Sequence, residues 1–136
     1  MKKRTRQTNG DKDMNNELWE KAIEYHGHKC MGLALGFRMG EEAKSIFGAN
    51  ADIHCKMPAK TCITDGVTGA TGASEANGRI QIDASLSHYL FYLPGEEEGW
   101  AITRKEINFP KNEDGISIVL SCSRDFLFTL EPVDIE

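Results

Sequence analysis

The residues best suited to chemistry lie together in the segment HGHKC, at positions 26–30. It brings the side chains of His26, His28 and Cys30 close together in the chain, and Gly27 allows the backbone to turn so that they converge. A divalent metal such as zinc takes three or four nitrogen and sulfur ligands in a tight tetrahedron. The spacing therefore predicts most of a metal site, with one ligand still to be supplied from elsewhere.

That ligand is predicted to be Cys62, and Asp65 follows it three residues later. Because His26 lies on a buried helix face, it is predicted to be either the fourth ligand or a support for the others. An aspartate at this place can ligate the metal, orient a ligand imidazole or act as a general base on a bound water. It can equally cap the next turn of the chain, and the sequence leaves that choice open.

Cys30 has a second role open to it, because it precedes the first turn of a predicted helix. The unpaired N–H groups and the dipole at a helix N-terminus favour a thiolate, which is both a metal ligand and a nucleophile. Cys30 and Asp65 are therefore also candidate catalytic residues. Any one of these side chains could simply be packed in a core, but the cluster as a whole favours metal or thiol chemistry.

Two predicted helices hold this segment in place. Asn16 can cap the first helix, whose apolar positions recur on one face and put His26 on the buried side, and Gly27 ends it. The second helix is predicted over residues 31–47, and every fourth position in its first part is glycine. Such a stripe predicts that either a neighbouring element or a ligand lies close to the helix backbone. Its members are Gly32, Gly36 and Gly40.

The rest of the chain is predicted to be mainly β-structure. Residues 60–78 are poor in large apolar side chains and rich in Gly, Thr, Ala and Ser, which predicts a long functional loop. Alternating or aromatic stretches predict strands at 51–57, 79–84, 88–93, 100–107, 115–121 and 125–130, although 115–121 could be helical. This order predicts an α+β fold, in which two N-terminal helices pack on a largely antiparallel sheet.

Length and composition fit one domain with its own core, at 136 residues, 15.1 kDa, 40% hydrophobic residues and a formal charge of −5. No apolar run reaches the roughly 18–20 residues of a membrane helix, and no hydrophobic stretch follows the basic start. The sequence therefore predicts a cytoplasmic protein with reduced cysteines and no membrane partner.

The charge is unevenly distributed along the chain. Five basic and two acidic side chains give residues 1–14 a charge of +3, which leaves −8 on the rest. We therefore expect a flexible basic arm over residues 1–15 and a core domain over residues 16–136 that repels nucleic acid.

Two motifs carry a family likeness. The first is LWEKAIEYHGHKCMGLALGFRM, residues 18–39, and the second is CITDGVTGATG, residues 62–72. The first resembles the HGHxCPG signature and GLALG-type helix of the FmdE family, which is named for a component of formylmethanofuran dehydrogenase. The second resembles a shortened form of that family's Cys-x-x-Asp segment and the TG(C/A)T stretch after it. With the weaker strands that follow, the resemblance covers residues 16–136.

The resemblance implies an α+β core that pairs into a homodimer, with a metal held among His and Cys side chains in a cavity. Carried over by position, the family's site residues correspond to His26, His28, Cys30, Cys62 and Asp65. Mixed imidazole and thiolate ligands suit zinc, nickel, iron or cobalt, and we expect zinc. The chain departs from the family where Met31 replaces a proline, where Ala70 replaces a cysteine found in many members, and where SEANG replaces a Gly-Lys-Gly-Asn run.

The leading interpretation is a metal-binding accessory protein of the FmdE type, linked to one-carbon redox metabolism and to a protein partner in a redox complex. The chain has neither the size nor the motifs to hold a molybdopterin, so it is not predicted to be the dehydrogenase itself. Two alternatives remain open. One is a metal- or thiolate-dependent enzyme that acts on a small substrate, and the other is a metal-free dimeric interaction module in which the cluster is only packed.

Overall fold

The computed structural model describes residues 16–108 and 113–135, and the predicted basic arm, residues 1–15, lies outside the described residues. Residues 16–26 are helical and are called α1. The other elements follow in the order α2 (Met31–Phe47), β1 (His54–Met57), α3 (Cys62–Thr71), β2 (Ile80–Ile82), β3 (Tyr89–Tyr92), β4 (Glu98–Arg104), α4 (Glu113–Ser121), α5 (Arg124–Leu127) and β5 (Phe128–Asp134). Within these ranges no helix has the length and apolar character needed to cross a membrane.

The strands form one sheet in the order β2-β1-β3-β4-β5. β1 and β2 run parallel, and every other neighbouring pair is antiparallel. Parallel strands need a crossover connection, and α3 provides it between β1 and β2. The predicted α+β fold, with two N-terminal helices and a largely antiparallel sheet, is confirmed.

The main core lies between one face of the sheet and the helices α2 and α3. Cys55, Phe91 and Ile102 from the strands are buried there, in one cluster with Met39 of α2 and Val67 of α3. α1 contributes to a second cluster, which contains no strand residue and is built from Ala22, Leu33, Phe37 and Ala70. α2 and α3 are therefore packed between the sheet and α1.

Helix α3 replaces part of the loop that the sequence predicts over residues 60–78, so the loop prediction is wrong over Cys62–Thr71. The helix begins at a capping box headed by Thr61. Its Gly66 lies against α2, where an added Cβ would stand 2.6 Å from the backbone nitrogen of Phe37. Close packing of small residues therefore stabilises α3, and neither hydrophobicity nor helix propensity indicates such packing.

Residues 115–121 and 125–130 also differ from the strands predicted there. Residues 115–121 belong to α4, which is the helix that the sequence allowed there as an alternative. In 125–130, α5 ends at Leu127 and β5 begins at Phe128. In α4 the buried side chains are Ile116 and Val119, three residues apart, while Ile118 is 38% exposed. A strand would have put Ile116 and Ile118 on one face, so the burial pattern follows the helical period.

Arg38 joins α2 to the end of α4. Its side chain is nearly buried, and Nη1 donates hydrogen bonds to the carbonyl oxygens of Val119 and Cys122 at 2.6 and 2.8 Å. Its Nε lies 3.4 Å from a carboxylate oxygen of Glu41. A cation on the last carbonyls of a helix is favourable because it meets the negative end of the helix dipole.

Replacing Arg38 by methionine should lower the free energy of unfolding by about 2–3 kcal/mol, because two carbonyl oxygens lose a charged donor. Arg124→Met is the matched control, because its half-exposed guanidinium makes a surface ion pair with Glu42 at 3.4 Å. We expect that variant to lose about 1 kcal/mol or less. Urea unfolding measures both values, and equal losses would show that the buried hydrogen bonds of Arg38 add nothing beyond a surface ion pair.

Candidate metal centre

The candidate site lies where two helix N-termini meet. Cys30 caps α2, and its sulfur accepts a hydrogen bond from the Leu33 N–H at 3.4 Å. Cys62 is the first residue of α3, whose cap, Thr61, accepts a hydrogen bond from the Ile63 N–H at 3.1 Å. Each helix thus holds one thiol at the end where its dipole favours a negatively charged atom.

The glycine stripe of α2 allows the two cysteines to come together. A Cβ on Gly32 would lie 2.8 Å from the Cys62 Cβ, and one on Gly36 would lie 2.8 Å from the Ile63 Cα. Side chains larger than glycine would push the helices apart at both positions. Of the two alternatives for the stripe, a packed neighbour and a ligand, the structure shows the packed neighbour, which is α3.

His26 ends α1 and faces both other helices. Gly27 follows it with a φ of +100°, and the Gly27 N–H donates a hydrogen bond to the Ile23 carbonyl oxygen at 2.8 Å. The Nδ1 of His26 lies 2.6 Å from Asp65 Oδ2, and its Nε2 lies 3.6 Å from the Cys30 sulfur. An ionised carboxylate only accepts hydrogen bonds, so Nδ1 is the donor in this contact, and in a neutral imidazole Nε2 then keeps its lone pair. Among the roles left open for Asp65, this contact fits orientation of the imidazole.

His28 and Cys62 complete the surroundings of Cys30. The rings of His26 and His28 have centroids 4.5 Å apart, and the ligand atoms of His26, His28 and Cys30 all lie within 4.8 Å of one another. Cys62 is a neighbour of Cys30. Burial raises the pKa of the Cys62 thiol, and a hydrogen bond and a charge interaction with Cys30 raise it further. The structure thus groups His26, His28 and Cys30, with Asp65 and Cys62 next to this group, and His28 is the exposed member.

The other two cysteines lie elsewhere. Cys55 is fully buried in the sheet, and burial raises the pKa of its thiol. His54 is only half-buried on the opposite face of β1, as predicted from the strand alternation. Cys122 follows α4, and all four cysteines are free thiols.

The distances around Cys30 fit a tetrahedral metal site. With metal–nitrogen bonds of about 2.0–2.1 Å and metal–sulfur bonds of about 2.3 Å, nitrogen and sulfur ligands of a tetrahedron lie about 3.6 Å apart. The separation of His26 Nε2 and Cys30 Sγ is 3.6 Å, a value that also suits a hydrogen bond between thiol and imidazole. Cys62 is not part of the 4.8 Å cluster, so its sulfur must move closer to make a fourth ligand.

Two features near the site were not predicted from the sequence. One is the capping box around Cys62, whose signal is a threonine at position 61 and another three residues later. The other is an exposed ion pair at the rim, in which Lys60 Nζ lies 3.1 Å from Glu75 Oε1. The hydrogen bond with Glu75 raises the pKa of Lys60, and the negative charge of Asp65 adds to this. No sequence signal predicts this ion pair, because Lys60 precedes α3 in the sequence and Glu75 follows it.

The sequence also matches a known family. The family model described as FmdE, Molybdenum formylmethanofuran dehydrogenase operon, matches residues 25–117, which is more than half of the chain and includes every candidate site residue. The chain belongs to the FmdE family. The resemblance predicted from the two motifs is therefore confirmed.

Two proteins show how far the likeness of this FmdE-family chain extends. The crystal structure of a tungsten formylmethanofuran dehydrogenase FmdE-like protein from Syntrophus aciditrophicus matches with a TM-score of 0.70 and 18% identity, covering 90% of this chain and 73% of that one. At that identity the likeness concerns the fold. A probable S-adenosyl-L-methionine-binding protein from Archaeoglobus fulgidus is 35% identical in an alignment of 68 positions that covers 44% of this chain. The match spans only 19% of the length of that relative.

Proposed function

We propose that this FmdE-family chain binds one divalent transition metal where α1, α2 and α3 meet, with zinc as the expected ion and nickel or iron as alternatives. The ligands are His26, His28, Cys30 and Cys62. The contact of Asp65 with His26 carries the proposal, because in a neutral imidazole it leaves the lone pair on Nε2, which lies 3.6 Å from the Cys30 sulfur. Histidines that bind metals usually have such a carboxylate on their other ring nitrogen.

The residues around the site would give the metal a defined environment. When bound, the ion would supply a Lewis acid close to solvent. Asp65 would hold the His26 ring in place, and the Leu33 N–H, which already donates to the Cys30 sulfur, would stabilise that sulfur as a thiolate. The exposed side chain of His28 leaves one side of the site accessible to a partner or a small molecule.

The biological role that we propose is that of an accessory protein to a formylmethanofuran dehydrogenase or a related one-carbon redox complex, acting in the cytoplasm with a protein partner. The operon in the family's description and the FmdE-like fold support this association. The proposed contribution of this chain is the metal centre.

A second function, that of an enzyme, is favoured by the line of contacts from Asp65 through His26 to Cys30. A carboxylate, an imidazole and a thiol in this order can serve cysteine-based catalysis, in which the imidazole accepts the thiol proton. Metal binding and cysteine-based catalysis both use His26 Nε2 and Cys30 Sγ. A site that binds a metal through these atoms therefore cannot use them for cysteine-based catalysis. Alkylation by iodoacetamide separates them, because zinc should protect Cys30 from the reagent if the site binds metal.

Metal titration of chelator-treated protein tests the leading proposal. We expect one equivalent of Zn²⁺ or Co²⁺ per chain, with the absorption bands of thiolate-bound cobalt. Asp65→Asn should weaken binding by about 10–100-fold, because a neutral amide holds the Nδ1 proton less strongly and makes His26 a poorer ligand. Asp125→Asn is the matched control, since Asp125 is an exposed residue of α5, and it should bind like the wild type.

Two kinds of result would count against the proposed metal site. Wild-type protein that binds no metal, or binds it without thiolate bands, would contradict the proposal. Folding and oligomeric state that are indifferent to chelator would then favour the metal-free interaction module.

A further inference from the structure

A cavity lies on the helical side of the sheet, where β4 and β5 form its edge. Its volume is about 360 Å³, which falls in the range of roughly 300–1,000 Å³ that small-molecule sites have. The last turn of α2, the short helix α5 and the two strands bound it, through Ile46, Arg124, Trp100 and Leu130 respectively. The cavity is therefore large enough to be examined as a ligand site.

Trp100 forms the apolar end of the cavity. It is paired across the sheet with Phe91, a residue of the main core, so its side chain points to the helical side. Its ring is nevertheless only half-buried, and it belongs to neither of the two core clusters of the described residues. Part of a large aromatic surface therefore faces the cavity instead of the core.

Two cations lie at the other end of the cavity. Arg124 is the first residue of α5, and Lys105 follows the end of β4. Lys105 Nζ donates a hydrogen bond to the carbonyl oxygen of Asp125, and Arg124 Nε lies 3.7 Å from the Asp125 carboxylate. Because both cations contact the same residue, they lie side by side. The Asp125 side chain is 87% exposed, so water screens its negative charge.

Both cations keep hydrogen-bond donors available for a ligand. Arg124 Nη1 lies 3.4 Å from Glu42 Oε1, in addition to its contact with Asp125. An ammonium has three N–H donors and a guanidinium has five, which is more than these contacts use. The side chains of Lys105 and Arg124 are both exposed, so they can turn towards an anion in the cavity.

The positions of the two ends determine what kind of molecule can touch both. β4 advances about 13 Å from Trp100 to its last residue, Arg104, at about 3.3 Å per residue. Phe128 is paired with Arg104, and Leu130 lies one step nearer to Trp100, so the wall between the two ends is apolar. A molecule that fills the cavity therefore needs an apolar body with one anionic group at its end.

We propose that this cavity binds an aromatic carboxylate, with its ring against Trp100 and its carboxylate between Lys105 and Arg124. Aromatic rings prefer offset-stacked or edge-to-face contacts with one another, and such pairs are favourable beyond the area that they bury. A carboxylate accepts charge-assisted hydrogen bonds from a guanidinium and an ammonium. The aromatic end and the cationic end of the cavity thus select different parts of the same ligand.

The proposed ligand site is separate from the candidate metal centre. Cys30 caps the start of α2, whereas Ile46 lies in its last turn. The two positions are about 24 Å apart along the helix, at about 1.5 Å per residue. The inference therefore does not rest on the proposed function, and chelator-treated protein should bind the carboxylate as well as metal-loaded protein does.

Isothermal titration of the whole chain with 2-naphthylacetate tests the proposal. We expect a dissociation constant of about 0.1 mM, which is typical of a ligand of this size. The matched neutral molecule is 2-(2-naphthyl)ethanol, which keeps the ring but has no charge. It should bind about tenfold more weakly or less, because its hydroxyl group cannot replace the hydrogen bonds of a carboxylate to two cations.

Substitutions of the two cations test the charged end. Lys105→Gln and Arg124→Gln should each weaken binding of 2-naphthylacetate about threefold to tenfold, and the double variant should bind it no better than wild type binds the alcohol. Lys21→Gln is the matched control, because it removes an exposed cation from α1, and it should bind like the wild type.

Trp100→Leu tests the aromatic end, since it keeps an apolar side chain and removes the ring. It should weaken binding of 2-naphthylacetate about fivefold or more. Octanoate carries the same charge on an aliphatic chain, and its weaker binding should change by less than about twofold in this variant. Circular dichroism and thermal unfolding of every variant show that folded chains are compared.

Several results would overturn the proposal. Wild-type protein that does not bind 2-naphthylacetate at millimolar concentrations would do so, as would equal binding of the acid and the alcohol. A double variant of Lys105 and Arg124 that binds like Lys21→Gln would show that the two cations do not hold the carboxylate. Octanoate that binds as tightly as 2-naphthylacetate, in the wild type and in Trp100→Leu alike, would refute the aromatic ligand and assign the cavity to an aliphatic chain.

Discussion

Alanine at Cys30 or at Cys62 is expected to weaken metal binding about 100-fold or more, with the fold retained. Structural zinc sites with four ligands bind with about 10–16 kcal/mol, so each ligand accounts for roughly 3 kcal/mol, which is a factor of about 100 in affinity. Competition with a chromophoric chelator measures the affinities, and circular dichroism confirms the fold. Cys30→Ala also removes the cap of α2, so we expect its unfolding free energy to fall by about 1 kcal/mol in the absence of metal.

Cys122→Ala is the matched control for the two ligand variants. This thiol is half-buried, as Cys30 and Cys62 are, but it follows α4 and lies outside the cluster. We expect Cys122→Ala to bind metal like the wild type. If Cys62→Ala also binds like the wild type, Cys62 is not a ligand, and the chain offers three ligands with a fourth position open to solvent.

Replacement of Gly36 by alanine is expected to cost about 3 kcal/mol or more of unfolding free energy, or to prevent folding. In an isolated helix the same change would be favourable by about 1 kcal/mol, because glycine is a poor helix former. In the folded chain the new Cβ would stand 2.8 Å from both the Cα and the carbonyl carbon of Ile63. A backbone cannot rotate out of the way as a side chain can, so α3 would have to shift as a whole. Urea unfolding measures the loss.

Gly40→Ala provides the graded comparison for Gly36→Ala. Its Cβ would lie 2.6 Å from the Ala70 Cβ and 3.1 Å from Thr71 Cγ2, both of which are side-chain atoms. We expect a smaller loss than at Gly36, and no loss for Ser45→Ala on the exposed side of α2. A Gly36→Ala protein as stable as Gly40→Ala would show that the contact between the two backbones relaxes at little cost.

The members of the candidate site could be predicted because most of them lie in one short segment. The types and spacing of His26, His28 and Cys30 indicate the chemistry without any knowledge of the fold. The contact between His26 and Asp65 could not be predicted, since it joins residues 39 positions apart and depends on how α1 lies against α3. The sequence therefore indicated which residues lie together at the candidate site, while the contacts among them needed the structure.

A helix or strand could be predicted where apolar residues recur with a single spacing over a long stretch of the sequence. The helical face of α1, the long apolar run of α2 and the alternation of most strands all met this condition. α3 failed it because Ile63 and Val67 are its only large apolar side chains in the core, and its other stabilising contacts are close approaches of small residues to α1 and α2. α4 failed it because nine residues are too few to separate the period of a strand from that of a helix.

The backbone segments that carry the candidate ligands differ in how easily they can move. Cys30 and Cys62 lie at the start of two helices whose backbones touch, whereas the exposed His28 lies in the turn that begins at Gly27. Parting the helices would require much of the core to open, but moving the turn requires rotation about only a few bonds. His28 would then be the first ligand to release a bound ion, and the residence time of the ion would be set by this turn.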